Sequence, residues 1–148
     1  MATLKISDLS VGDWVMVNGK PRKISVLSEV WNGSNEVLVG YVAHVNSNGY
    51  NLVYYKPIEH IKPIPITAEI LERNGWNSDG MYAFLRIDEH RHLEYYYHEH
   101  RLRKYYCGVD EWQNHAKVTD ITFAAHCYSV HQLQHALRLA GVEEEITL

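Results

Sequence analysis

Residues 11–21 have the sequence VGDWVMVNGKP, an alternating pattern that ends at an Asn-Gly pair and a proline. A period of two is typical of a strand with one buried face. Asn18 and Gly19 both tolerate positive φ, so they predict a tight hairpin turn between this strand and the next. The chain is therefore predicted to begin as antiparallel β-structure.

Further strands are predicted before residue 66, at Lys23–Val30, Val37–Val45, Tyr50–Tyr55 and Ile58–Ile64. Polar turn clusters separate them at residues 31–35 and 46–49. Short strands joined by tight turns are typical of small barrels and bent sheets. Residues 1–66 therefore predict a lobe built as an SH3-like small β-barrel or a bent sheet.

A linker and a short helix are predicted next. Pro63-Ile64-Pro65-Ile66 is extended, because proline moves its predecessor out of the helical region. Thr67 is a good N-cap for a short linking helix at 68–74, and Gly75 suits the position after its end. The helix is too short to be stable alone, so it must pack on a sheet.

The rest of the chain predicts a β-meander and a closing helix. Antiparallel strands are expected at Met81–Ile87, Leu93–Tyr97, Leu102–Tyr106 and Val118–Phe123. An amphipathic helix follows, because apolar residues recur on one stripe at Val130, Leu133, Ala136, Leu137 and Ala140. The sequence thus predicts an α+β fold with two lobes, 1–66 and 67–148, that form one compact unit.

Composition limits the class of protein. The 148 residues carry a formal net charge of −4, which disfavours nucleic acid as the main partner, because phosphate binding usually needs excess cations. Cys107 and Cys127 form no Cys-x-x-Cys pair, which fits a reducing compartment. With no signal-like segment and no apolar run long enough for a membrane helix, we expect a cytoplasmic protein without a membrane partner.

Three segments resemble a known family. They are Leu9–Val15, then Ile61–Thr67 followed by Ile70-Leu71 and Asn74-Gly75-Trp76, and finally Val130-His131-Gln132-Leu133-Gln134. In this order they resemble an uncharacterised family of small proteins from gut bacteria and their phages, with "PIPLT…GF" and "VHQLQ" signatures.

The chain departs from the family pattern in two places. Ile66 and Trp76 replace the usual Leu and Phe, and the helix after Gln134 is less aromatic than the family's. The resemblance implies an intracellular accessory protein, encoded by a phage or mobile element. It brings no catalytic activity that can be assigned to residues of this chain.

The final helix offers the sharpest candidate for a metal site. His131 and His135 are four residues apart, and Cys127 would extend them to a Cys-x3-His-x3-His series. Gln132 stands where a zincin has its Glu, which argues against zincin hydrolysis. On a helical wheel both histidines lie opposite the apolar stripe, so a solvated polar face is the competing interpretation, and no cofactor is predicted. A second candidate metal site lies across two hairpin strands, at His90, His92, His98 and His100, and polar turn residues at hairpin ends are the competing interpretation.

The meander offers a candidate nucleic-acid surface. Bases stack on aromatic rings of a sheet, and cations bind the backbone phosphates. The residues that combine these properties here are Tyr96, Arg101, Arg103, Lys104 and Tyr105. The competing interpretation is a Tyr-rich sheet with one solvated face.

No catalytic residues are predicted. The sequence has no Gly-x-Ser-x-Gly elbow and no Gly-rich phosphate loop. We expect a non-enzymatic binding or accessory protein that recognises a protein partner or a small ligand. The alternative is a nucleic-acid-associated protein. A peptide groove is a further hypothesis, lined by Trp14, Trp31, Tyr41, Tyr54 and Tyr55.

Overall fold

The computed structural model describes residues 4–30, 36–106 and 120–148. The chain divides into two compact units, residues 1–65 and 66–147. Each unit contains one five-stranded antiparallel sheet, a short helix lies between them along the chain, and a longer helix follows the second sheet. The predicted α+β class is confirmed. The predicted turn at 31–35 with Trp31, and the segment with Cys107, lie outside the described residues.

The first unit has its strands in the order β4-β3-β2-β1-β5. Their bounds are β1 Trp14–Val17, β2 Lys20–Val30, β3 Glu36–Val45, β4 Asn51–Pro57 and β5 Ile61–Lys62. The expected strand at Ile58–Ile64 is instead a 3-10 turn, Ile58–His60, followed by the two-residue β5. Within the described residues the sheet is open, with β4 and β5 at its edges.

Alternate side chains of β1 and β2 point into the core of the first unit. Val15 and Val17 are buried on one face, and the turn after them has the predicted positive φ values at Asn18 and Gly19. Strand β2 pairs with β1 and then with β3, and a register shift at Ile24 separates the two pairings. Such irregularities bend a strand. The buried cluster comprises Leu9, Val15, Val17, Ile24, Val39, Tyr41 and Ile61.

The second unit begins with helix α1, Ala68–Arg73. The predicted N-cap is confirmed: the Ile70 amide donates to the Thr67 hydroxyl at 3.3 Å. Gly75 has φ +82° after the helix end, a conformation that costs glycine little. Leu71 and Trp76 are buried, so α1 is held by packing and not by length.

The second sheet contains the predicted meander and a further short strand, β6, that was not predicted, with all five strands in sequence order. Their bounds are β6 Asn77–Ser78, β7 Tyr82–Arg86, β8 Arg91–Tyr96, β9 Arg101–Tyr106 and β10 Asp120–His126. One face is apolar and buried at Leu85, Leu93, Tyr95 and Leu102.

The final helix, α2, spans Val130–Leu139 and buries the predicted stripe of Val130, Leu133, Ala136 and Leu137. Two hydrogen bonds join the residues that flank the helix to the apolar face of the sheet: the Tyr95 hydroxyl donates to the Cys127 carbonyl, and Lys104 Nζ donates to the Ala140 carbonyl. Among the described residues, none of the helices combines the length and apolar character that crossing a membrane requires.

Candidate functional site

The second sheet presents a face of rings and charges on the side opposite its apolar core. Alternation along β7, β8 and β9 produces it, since successive side chains point to opposite sides. Register pairs join Tyr82 to Tyr96 and Glu94 to Arg103. We call this the aromatic face, and it comprises Tyr82, Phe84, His92, Glu94, Tyr96, Arg101, Arg103 and Tyr105.

The side chains of the aromatic face form two rows that run across the strands. In the first row the rings of Tyr82 and Tyr96 stack at 5.7 Å, and the Arg103 guanidinium carbon lies 4.8 Å from the Tyr96 centroid. In the second row the His92 ring lies 4.9 Å from Phe84 and 5.0 Å from Tyr105. Stacked rings and cation–π contacts of this kind hold side chains in fixed orientations.

Glu94 connects the two rows. The Tyr96 hydroxyl donates to its carboxylate and also lies 3.3 Å from the Tyr105 hydroxyl. Burial, then the hydrogen bond to Glu94, raise the pKa of Tyr96 above its ordinary value. His92 Nε2 lies 3.5 Å from Glu94, yet burial outweighs that carboxylate and lowers the pKa of His92. At neutral pH His92 is therefore a neutral imidazole, and Tyr96 is a neutral phenol that donates a hydrogen bond to Glu94.

The predicted nucleic-acid residues are divided between the two sides of the sheet. Tyr96, Arg101, Arg103 and Tyr105 share the aromatic face, but the placement of Lys104 with them is wrong. Lys104 follows Arg103 by one residue, so it points to the opposite side, where Nζ donates to the Ala140 carbonyl at 2.6 Å.

The cations of the aromatic face have acidic neighbours. Arg103 donates to the Glu99 carboxylate at 2.9 Å, and Arg101 lies 3.9 Å from the same carboxylate. Arg101 also lies 3.1 Å from His126 Nε2. Tyr105 is 6% exposed, so its ring is not open for stacking. This arrangement weakens the case for phosphate binding, and nucleic-acid recognition stays a prediction.

The prediction that His131 lies on a solvated face of the helix is wrong. His131 is 1% exposed, and its Nδ1 lies 3.0 Å from the Ser129 hydroxyl. The chain after α2 returns along this side: Gln134 Oε1 accepts from the Ile146 amide, and Gln134 Nε2 donates to the Glu144 carbonyl. The tail therefore covers Gln134, which lies one helical turn from the buried His131.

The three residues of the predicted metal site do not share a common set of contacts. The rings of His131 and His135 are 6.1 Å apart and nearly perpendicular. Cys127 is buried, its Sγ lies 4.0 Å from the Ala125 carbonyl, and burial raises the pKa of the thiol to about 12. Over residues 4–30, 36–106 and 120–148, no three His, Cys, Asp or Glu side chains form a group that would hold a metal ion.

A pocket of about 280 Å³ lies beside β7 and was not expected from the sequence. Strand β6 consists of Asn77 and Ser78, and its pairing ends opposite Ala83. The next residue, Asp79, lies opposite Tyr82 and bonds its backbone, and both residues line the pocket. The sequence signal is a polar triplet that closely precedes an alternating aromatic strand. The lining residues are Asn77, Ser78, Asp79, Tyr82 and Phe84.

The edge strand β4 is a second unusual surface, in the first unit. Its side chains are exposed throughout Asn51–Tyr55, and the four apolar or aromatic ones are between 38% and 49% exposed. Within the described residues β4 pairs with β3 alone. Tyr55 and Val53 lie across Gly40, where a Cβ would come within 3.0 Å of the Tyr55 ring. Glycine therefore lets an apolar surface form across β3 and β4.

Comparison of the chain with family models, with curated proteins and with solved structures finds no match.

Proposed function

We propose that this protein is a non-enzymatic binding protein that recognises an extended segment of a protein partner along strand β4. The observation that carries the proposal is the continuous exposure of Asn51–Tyr55 on an edge strand. Natural proteins usually shield such edges with charges, prolines or covering loops, because an open edge pairs with other chains. Here the open stretch contains Leu52, Val53, Tyr54 and Tyr55, and no charged side chain.

Strand addition supplies both affinity and selectivity. The main chain of an incoming segment pairs with the free edge of β4, while its alternate side chains contact one face or the other. On one side of β4 lies the surface formed by Val53 and Tyr55 over Gly40. On the other side Tyr54 stacks on the buried Tyr41 at 6.3 Å.

The charges near this edge favour an acidic segment. Lys56 is the one charged residue within β4. Arg22 lies over the Tyr41 ring, 5.9 Å from its centroid, and Tyr54 stacks on the same ring. An aspartate or glutamate in the partner complements these cations. A second copy would pair one cationic strand with another, so we propose a different protein as the occupant.

The first sheet contains an irregularity that affects its shape. Strand β2 takes part in both halves of the sheet and is interrupted between Ile24 and Val26. We propose that this interruption bends the sheet into an SH3-like barrel or a related bent sheet, with β4 along its rim. The resemblance of three sequence segments to the phage-associated family supports a cytoplasmic accessory protein that is encoded by a phage or mobile element.

Nucleic-acid association is the second candidate function, favoured by the two rows of side chains on the aromatic face. The pairing of Arg103 with Glu99 and the net charge of −4 count against it. Labelled single strands at low salt test it directly. Salt-dependent binding that Arg103→Ala abolishes would favour this candidate.

Selection of displayed random peptides on the immobilised protein tests strand addition. We expect enriched peptides to alternate β-branched or aromatic residues and to carry an acidic residue. Val53→Lys removes the apolar contact, and Val53→Glu also repels the acid, so affinity should fall in the order wild type, Val53→Lys, Val53→Glu. We expect Val53→Glu to bind about ten-fold or more weakly, the effect of losing roughly 1.4 kcal/mol.

Matched controls are Leu139→Lys and Leu139→Glu, at a position 78% exposed on α2. They should bind the peptides as wild type does. Failure to enrich any peptide, or equal binding to Val53→Glu, would contradict the proposal. A concentration-dependent dimer that Val53→Glu dissociates would assign β4 to a second copy and overturn the choice of occupant.

A further inference from the structure

The pocket beside β7 has a carboxylate that is fixed and ionised. Asp79 Oδ1 accepts from the amides of Met81 and Tyr82, at 2.9 and 3.1 Å. These two bonds lower the pKa of Asp79 below its ordinary value of 3.8. The carboxylate therefore keeps its charge across the neutral pH range. The two hydrogen bonds also hold it in a fixed position.

Two aromatic rings form the apolar part of the same pocket. Tyr82 and Phe84 lie on one face of β7 because they are two residues apart. On the β8 side Tyr82 stacks on Tyr96, and Phe84 lies 4.9 Å from His92. The pocket lies on their opposite side, toward Asn77 and Ser78 of β6. The rings are thus supported from behind and open toward the pocket.

The charge of the lining selects the class of ligand. The five lining residues include one carboxylate and no lysine, arginine or histidine. An anion would be repelled by Asp79 without a compensating cation. A cation would gain from Asp79 and from the negative faces of the two rings, the combination that binds quaternary ammonium groups elsewhere. The volume of about 280 Å³ is enough for one such group and its nearest substituents.

We propose that this pocket binds an alkylated ammonium group, which contacts the Asp79 carboxylate and the rings of Tyr82 and Phe84. Asn77 also lines the pocket, and its amide can bond a hydroxyl or carbonyl next to the cation. This site is independent of strand β4, so either proposal can fail without the other.

Titration of the isotope-labelled protein with choline tests the site, with backbone amide shifts as the readout. We expect saturable shifts confined to residues 77–84. Dimethylbutanol, the neutral carbon isostere of choline, should bind roughly five-fold or more weakly, because it lacks the charge. A second ligand, acetylated trimethyllysine amide, distinguishes a free small cation from a modified side chain by its relative affinity.

Asp79→Asn is the informative variant, since the amide oxygen can still accept from Met81 and Tyr82. It should weaken choline binding roughly five-fold or more and leave binding of the neutral isostere unchanged. Glu72→Gln, at an exposed position on α1, is the matched control for loss of one negative charge, and it should bind as wild type does. Absence of saturable choline binding, or equal binding of the neutral isostere, would overturn the proposal.

Discussion

The ring of Tyr96 is held between Tyr82, whose ring stacks on it at 5.7 Å, and Arg103, whose guanidinium carbon lies 4.8 Å from its centroid. Its hydroxyl also donates to Glu94. A single side chain on β8 therefore joins three strands of the second sheet. The aromatic face is consequently a packed structural layer as well as a surface.

Replacing Tyr96 should destabilise the second unit. We expect Tyr96→Leu to lower the free energy of unfolding by about 1–3 kcal/mol, because the stacked ring and the hydrogen bond to Glu94 are both lost. Denaturant unfolding measures the change. Tyr50→Leu, at a position 70% exposed, is the control and should have little effect. Equal stability of the two variants would mean that the ring contacts contribute nothing net.

The contact from Lys104 to the end of α2 predicts a second effect on stability. Nζ donates to the Ala140 carbonyl at 2.6 Å, where a cation also complements the helix dipole. We expect Lys104→Met to lower the free energy of unfolding by about 1 kcal/mol. Lys62→Met, at an exposed position on the edge strand β5, should leave the free energy of unfolding nearly unchanged. If Lys104→Met were neutral as well, the contact would add nothing to stability.

His92 predicts a pH dependence. Burial lowers its folded pKa below the ordinary value of 6.5, so protons bind the unfolded chain more tightly. Its contribution to stability is therefore present above the unfolded pKa and is lost as pH falls through and below that value. Unfolding measured from about pH 8 to about pH 5 should show a steeper loss for wild type than for His92→Phe. Parallel curves would contradict this assignment.

Gly40 predicts a steric effect on the β4 surface. A Cβ there would lie 3.0 Å from the Tyr55 ring and 3.1 Å from Val26 Cβ. We expect Gly40→Ala to cost about 1–3 kcal/mol of stability, the usual effect of overpacking. The cost should shrink when Gly40→Ala is combined with Tyr55→Ala. A cost that is the same in both backgrounds would show that Tyr55 does not press on this position.

Local sequence signals predicted the strands and helices, but not the side of the sheet or the burial of every side chain. The Asn18-Gly19 turn, the Thr67 cap and the stripe of α2 depend on near neighbours, and all three were correct. Lys104 was grouped wrongly because alternation along β9 decides which side of the sheet it joins. His131 was assigned to solvent because a helical wheel does not include the parts of the chain that pack on the helix.

The pocket depends on where one strand stops. Asn77 and Ser78 pair with β7, and the pairing then ends opposite Ala83. Pairing length depends on contacts between segments, so the sequence of β6 by itself does not reveal it. The exposure of β4 has a similar origin: its consecutive apolar and aromatic residues suit a buried strand, but within the described residues β4 is an edge strand and their side chains are exposed.

Hydrogen exchange with a selected peptide tests strand addition most directly. If the peptide adds a strand to β4, amide exchange within residues 51–57 should slow on binding in the wild type and stay unchanged in Val53→Glu under the same conditions. Slowed exchange elsewhere with unchanged exchange in β4, while the peptide is bound, would contradict the account.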